Sequence, residues 1–179
     1  MTKTHLIALA ALVCTAGAGA ADDVVVDAQQ IATQAIGSKG ANCPSYKVEL
    51  DGQPPVVVFT VDASGETSYD FAKIELPVEV QISPGAIVTV DAEIELADQS
   101  YVEVGLQLED GRYFFDNLKE WAASERSYTF PIARMASADG QMFTDASARL
   151  AAVSLMINSD GSDAPGASKI RIARIVVTP

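Results

Sequence analysis

The sequence predicts an all-β chain, an antiparallel β-sandwich of jelly-roll type with at most short helices. Three observations carry that expectation. First, β-branched and aromatic residues collect in short runs at 56–61, 86–96, 101–108, 112–115, 127–132, 148–157 and 169–177. Several alternate strictly between apolar and polar, the period of a strand with one buried face. Second, turn chemistry separates the runs: Asp51-Gly52, Ser64-Gly65, Ser83-Pro84-Gly85, Asp110-Gly111, Asp139-Gly140, and Asp160-Gly161 through Pro165-Gly166. Third, helix finds room only at 27–36 and 118–124, both rich in Ala, Gln or Glu. Many short strands with regular turns describe two packed antiparallel sheets.

The N-terminus reads as an export signal. Lys3 precedes an apolar run at 6–13, and the small residues Thr15-Ala16-Gly17-Ala18-Gly19-Ala20-Ala21 follow, the order of regions in a signal peptide. The run is shorter than the roughly 20 apolar residues that span a bilayer. Cleavage after Ala18 or Ala20 fits the small-residue pattern, giving a leader at 1–20 and a single domain at 21–179. Cys14 stands where a lipoprotein cysteine would, but Ala11-Leu12-Val13 lacks the small residue that normally precedes one. The chain is therefore expected to be secreted or periplasmic, without lipid and without a transmembrane segment.

Removing the leader removes the only histidine, His5, and one of the two cysteines, Cys14. The remainder holds no histidine, which excludes a Ser-His-Asp or Cys-His nucleophile pair, a histidine general base and histidine-ligated transition metals. Carboxylate chemistry survives. Cys43 is left alone in an oxidising compartment, so it is either a half-buried thiol beside Pro44 or one half of an intermolecular disulfide.

About 160 residues suit one domain with its own core. The chain has a net charge of −12 and a pI near 4.3, so nucleic acid and anionic membrane surfaces repel it. Carboxylates crowd residues 22–110, while most Lys and Arg follow Arg112. The two halves are thus expected to complement each other electrostatically within one fold.

Residues 86–179 show an ordered pattern. An alternating strand, Val88-Thr89-Val90-Asp91-Ala92-Glu93, is followed by a second that closes on Asp110-Gly111. A tryptophan-led entry leads into Tyr128-Thr129-Phe130-Pro131-Ile132, then 150–157, then a closing Ile170-Arg171-Ile172-Ala173-Arg174-Ile175. This pattern resembles the jelly-roll carbohydrate-binding modules and galactose-binding-like domains that accompany glycoside-degrading enzymes. The resemblance implies a sandwich fold and non-catalytic sugar binding.

The hairpin around Asp110-Gly111 can be read on its own. A two-residue loop would place Glu109 opposite Arg112 and Gln107 opposite Phe114, with Leu108 facing Tyr113 and Leu106 facing Phe115. Val102, Val104, Leu106, Leu108, Tyr113 and Phe115 would then be core. Tyr101, Glu103, Gln107, Glu109, Arg112, Phe114 and Asp116 would form the outer face, where rings, amides and carboxylates could stack on and hydrogen-bond a sugar. The same residues would also serve as an ordinary solvated sheet face. Trp121, the only tryptophan, is either a core plug or a surface stacking residue. The ligand-binding candidates are therefore Tyr101, Gln107, Arg112, Phe114, Asp116 and Trp121, with no catalytic residue.

In Asp91-Ala92-Glu93-Ile94-Glu95-Leu96, three carboxylates share one face. Arg149, Lys169 and Arg171 are the expected neutralising partners; Arg174, like Arg149 and Arg171, belongs to the late strands and is expected either to pair with the acidic early strands or to bind an anion or uronate. The alternative is a structural Ca²⁺, which takes oxygen ligands and could also sit in the Asp160-Gly161-Ser162-Asp163 turn. No other cofactor is expected. Three functions remain open: a glycan-binding or surface-adhesion domain, an assembly subunit whose Val24-Val25-Val26 adds a strand to a neighbour, and a carboxylate-dependent glycosidase.

Overall fold

The computed structural model describes residues 22–40, 46–62, 71–97, 100–118, 126–159 and 167–179. Their strands, in chain order, are β1 (Val24–Asp27), β2 (Ile36–Lys39), β3 (Tyr46–Asp51), β4 (Val56–Asp62), β5 (Phe71–Ile82), β6 (Ile87–Glu95), β7 (Ser100–Leu108), β8 (Tyr113–Leu118), β9 (Ser127–Pro131), β10 (Ala148–Ser159) and β11 (Ala167–Thr178). Helix α1 (Ala28–Gln34) and a 3-10 turn (Ile132–Arg134) complete the set. Every strand pairing is antiparallel. Among the described residues one sheet runs β3-β4-β11-β6-β9, with β1 also on β11, and the other runs β2-β5-β10-β7-β8. The fold is the expected jelly-roll sandwich.

Alternation builds the core. Val57, Phe59 and Val61 of β4, Val88 and Val90 of β6, and Ile170, Ile172 and Ile175 of β11 face inward from the first sheet. Ile74 and Leu76 of β5, Val102, Val104 and Leu106 of β7, and Val153, Leu155 and Ile157 of β10 meet them from the second. Truncating one of these side chains to Ala costs about 2–5 kcal/mol. Helix α1 lies against β3 and β4 and is set by a reciprocal cap. Gln30 N–H donates to Asp27 Oδ1 at 2.9 Å, and Asp27 N–H donates to Gln30 Oε1 at 3.0 Å. Its Ile31 is completely buried.

All seven expected runs are strands, and four further strands join them. The longest, β5, carries Pro77 just beyond the last β2 pair, Ile36↔Glu75. That edge of β5 has no strand partner there among the described residues, so a residue without an N–H is tolerated. The Val24-Val25-Val26 segment does form a strand, but within its own chain. It pairs with β11 from Val24↔Val177 to Asp27↔Arg174, beyond the point where β4 leaves that edge at Ile172↔Val57. Of the two expected helices, the first forms and stops before Ile36, which belongs to β2. The second begins at Leu118, which ends β8, and residues 119–124 lie outside the described set, as do Cys14, Cys43 and the Asp160–Asp163 turn.

The hairpin register differs from expectation by one residue. The loop has three residues, Glu109-Asp110-Gly111: Leu108 N–H donates to Arg112 O at 2.9 Å, and Gly111 N–H donates to Leu108 O at 3.0 Å. Gly111 takes φ +89°, the left-handed position that such a loop reserves for glycine. The pairs are Gln107↔Tyr113, Leu106↔Phe114 and Gly105↔Phe115. Side chains alternate with a period of two, so the slip turns every β8 side chain to the other face. Phe114 is core, at 4% exposure and edge-to-face on Phe143 at 5.4 Å. Tyr113 and Phe115 stand outside.

Consecutive strands β6 and β7 lie in different sheets, so the acidic strand never faces Glu103. It pairs with β11 instead: Lys169 opposite Glu95, Arg171 opposite Glu93 and Arg174 opposite Asp91, with charged groups 3.4, 3.8 and 2.5 Å apart. Lys169, Arg171 and Arg174 take the expected role. Arg149 does not: it lies on β10 in the other sheet, against Glu79 and Glu109.

Candidate functional site

The outer face of the β2-β5-β10-β7-β8 sheet gathers aromatic, amide and charged side chains. Val102, Val104, Leu106 and Leu108 point inward from β7, so Tyr101, Glu103, Gly105 and Gln107 point outward. The register adds Tyr113, Phe115 and Asn117 from β8 beside Gln107, Gly105 and Glu103. Strand β10 brings Ser154 next to Gly105 and Met156 next to Glu103. Strand β5 then places Glu75 beside Ser154 and Lys73 beside Met156.

Tyr113 organises the centre of this face. Its ring crosses Gly105, and its hydroxyl donates to Glu103 Oε1 at 3.0 Å and shares a hydrogen bond with Ser154 Oγ at 2.9 Å. A Cβ on Gly105 would stand 1.9 Å from that hydroxyl and 2.6 Å from Ser154 Oγ. Only glycine leaves room for the ring. Phe115 lies beside it, centroids 6.1 Å apart and planes inclined by 31°. Lys73 Nζ sits 5.9 Å from the Tyr113 centroid and 2.9 Å from Glu75 Oε2. Both rings are half-buried, and together they form a two-ring platform edged by polar groups.

The electrostatics are those of a partly dry site. Glu103 is 7% exposed, and burial pushes its carboxyl above the ordinary glutamate value against the opposing pull of the Tyr113 hydroxyl and Lys73. Burial likewise pushes the Tyr113 phenol up; Ser154 acts against this and the Glu103 charge adds to it. Asn117 Oδ1 is buried without a hydrogen-bond partner among the described residues.

The six sequence candidates do not come together. Tyr101 and Gln107 are on this face, Tyr101 opposite Asn158 and Gln107 donating to Arg112 O at 3.1 Å. Arg112 sits at the hairpin tip, 2.7 Å from Asp110 and also on Asp145, with its guanidinium 5.9 Å from the Phe114 ring. Phe114 is in the core, and Asp116 shares its side of β8, opposite inward-facing Val104. Trp121 lies outside the described residues. Sequence reasoning missed Tyr113 and Phe115, which it had placed in the core. The signal that would have found them is a glycine as the third loop residue together with Gly105, an outward position with no side chain of its own.

Among the described residues no group of three or more His, Cys, Asp or Glu could hold a metal ion, and no helix is long and apolar enough to cross a membrane.

No family model and no curated protein matches the chain. Solved structures share its fold. A family 11 carbohydrate-binding module from Clostridium thermocellum, in complex with a beta-1,3-1,4-mixed-linked tetrasaccharide, matches with TM-score 0.59 at 8% identity, over 86% of this chain and 94% of that one. The enzymatically active domain of bacteriophage CBA120 tailspike protein 4 matches at 0.50 and 10% identity, over 83% of this chain and 21% of that one. The glycoside hydrolase domain of Endo-D from Streptococcus pneumoniae R6 matches at 0.47 and 10% identity, over 80% and 21%. This chain therefore spans about a fifth of the length of those last two. At 8% and 10% identity the likeness to the carbohydrate-binding module and the tailspike domain is one of fold alone.

Proposed function

We propose that this chain is an exported, non-catalytic glycan-binding module, and that it binds on the outer face of the β2-β5-β10-β7-β8 sheet. The observation that carries this reading is the Tyr113–Phe115 pair of rings, with Tyr113 seated over Gly105 and Glu103, Gln107 and Asn117 beside it. A sugar presents an apolar C–H face and a rim of hydroxyls. Two neighbouring rings offer the first an apolar surface, while carboxylate and amide groups satisfy the second. The absence of histidine beyond His5 supports binding over histidine-based catalysis. The shared fold with a module solved on a tetrasaccharide points the same way.

A glycan array with the purified chain, followed by titration of the best oligosaccharide, tests the reading. Replacing Phe115 by Ala is expected to lower affinity about tenfold or more, the scale of removing an aromatic anchor. Wild-type affinity in Phe115→Ala, or no binding across the array, overturns it. Export is part of the proposal. Intact-mass analysis of the secreted chain is expected to start at Gly19 or Ala21, and an acylated Cys14 as the first residue would refute that.

A further inference from the structure

The opposite sheet carries a groove of its own. A cavity of about 590 Å³ opens on the outer face of the β3-β4-β11-β6-β9 sheet, between the turn that joins β3 to β4 and the start of β9. Its cause is a β-bulge: the β11–β6 register shifts between Ile172 and Arg174, so Ala173 and Arg174 both come outside. Ala173 carries only a methyl, and the sheet surface dips where it stands. Bulges of this kind recur next to functional sites because they re-aim side chains.

The charged groups at the groove are fixed to one another. Arg171 is 3.0 Å from Asp51 and 3.8 Å from Glu93, and Arg126 is 3.2 Å from Glu93. Asp91 accepts from Ser127 Oγ at 2.7 Å and pairs with Arg174 at 2.5 Å. Among the described residues the lining thus holds two guanidiniums, Arg126 and Arg171, and two carboxylates, Asp91 and Glu93, a sum of zero. An ionic ligand gains no net attraction there. A neutral ligand with neighbouring hydroxyls does fit, because each hydroxyl donates to a carboxylate and accepts from a guanidinium at once. Among the described residues no aromatic side chain lines the groove, and Pro54, Val56 and Ala173 give it apolar wall between the charged groups.

We propose that this groove is a second site for a neutral saccharide, on the face opposite the aromatic platform, which makes the chain bivalent. The proposal rests on the glycan-binding reading for its class of ligand and not for its location. Two sites on opposite faces cannot serve one short oligosaccharide, but they link two polysaccharide strands, with the avidity that follows.

The test follows backbone amide chemical shifts while neutral tetrasaccharides, among them the beta-1,3-1,4-mixed-linked one, are added to millimolar concentration. The variants are wild type, Phe115→Ala and Ala173→Trp; the last fills the groove from an exposed position. Shifts around Val56, Arg171 and Ala173 are expected in wild type and in Phe115→Ala and are expected to vanish in Ala173→Trp, which retains the shifts around Tyr113. Shifts confined to the Tyr113 face overturn the second site and leave the first. Shifts confined to the groove overturn the first and leave the second. No shift anywhere overturns both, and stronger groove binding by a uronic-acid tetrasaccharide overturns the neutral-ligand argument.

Discussion

The Tyr113 hydroxyl lies 1.9 Å from where a Cβ on Gly105 would stand, so the smallest added side chain and the ring cannot share the space. Gly105 is fully strand-paired between β8 and β10, which makes its role steric. Gly105→Ala is expected to expel the ring from its contacts with Glu103 and Ser154, destabilising the fold by about 1–3 kcal/mol, as overpacking does, and weakening glycan binding as well. Urea midpoints with a matched titration check this. Unchanged stability and affinity would show that the ring has another resting place.

The hairpin register sets opposite outcomes for two neighbours. Phe114→Ala removes a buried ring packed on Phe143 and is expected to cost about 3–5 kcal/mol. Phe115→Ala removes a half-buried ring and is expected to cost less in stability while lowering affinity. Thermal melts of the two variants decide it, and the reverse order would restore the two-residue loop.

That hairpin also shows where the sequence stops being legible. Alternation identified β4, β6 and β7 correctly because their inward residues are apolar at every second position, and β10 and β11 because that spacing breaks only once in each, at a bulge. In β8 both parities carry a phenylalanine, so the pattern is silent and the loop length decides. Asp110-Gly111 fits a two-residue or a three-residue loop, and the choice moved the candidate site from Phe114 to Tyr113 and Phe115. Strand β5 alternates throughout, but Pro77 in its middle reads as a breaker until β2 is seen to end before it. Strands β1 and β2 have four residues each, too few for any period to register. Charge complementarity was legible because early carboxylates and late cations must meet somewhere; which sheet each belongs to was not, and so Arg149 was misplaced.

The Glu103 carboxyl gives the platform a pH signature. Burial raises it, Tyr113 and Lys73 oppose without reversing the shift, and Glu75 faces the same cluster through Lys73. A carboxyl raised in the folded state still holds its proton at a pH where the unfolded chain has released it. Its contribution is therefore fully present below the unfolded value, about 4.3, and is lost as pH rises through the folded one. Glu103→Gln stays neutral throughout. It is expected to match wild type in acid and to exceed it in stability near neutral pH, by urea midpoints across a pH series. A wild type more stable than the variant at neutral pH would mean that Lys73 and Tyr113 outweigh burial.

The last relationship is the row in which Lys169, Arg171 and Arg174 face Glu95, Glu93 and Asp91. These groups range from 20% exposed at Asp91 to 66% at Glu95, and a solvent-exposed pair contributes only about 0–1 kcal/mol. Their joint effect is to prevent three carboxylates on one face from repelling each other. Arg171→Glu puts a fourth negative charge between Asp51 and Glu93, and like charges directly opposite destabilise a sheet. A loss of about 1–2 kcal/mol is expected. It should shrink in about 1 M salt, where the screening length falls to about 3 Å. The double variant Arg171→Glu with Glu93→Arg restores the cross-strand pair in reverse and is expected to recover part of the loss. Since the arginines already neutralise the row, calcium and chelator are expected to leave the wild-type melting temperature unchanged. A chelator-reversible rise in calcium would place a cation on this chain and end the claim that the cationic side chains suffice.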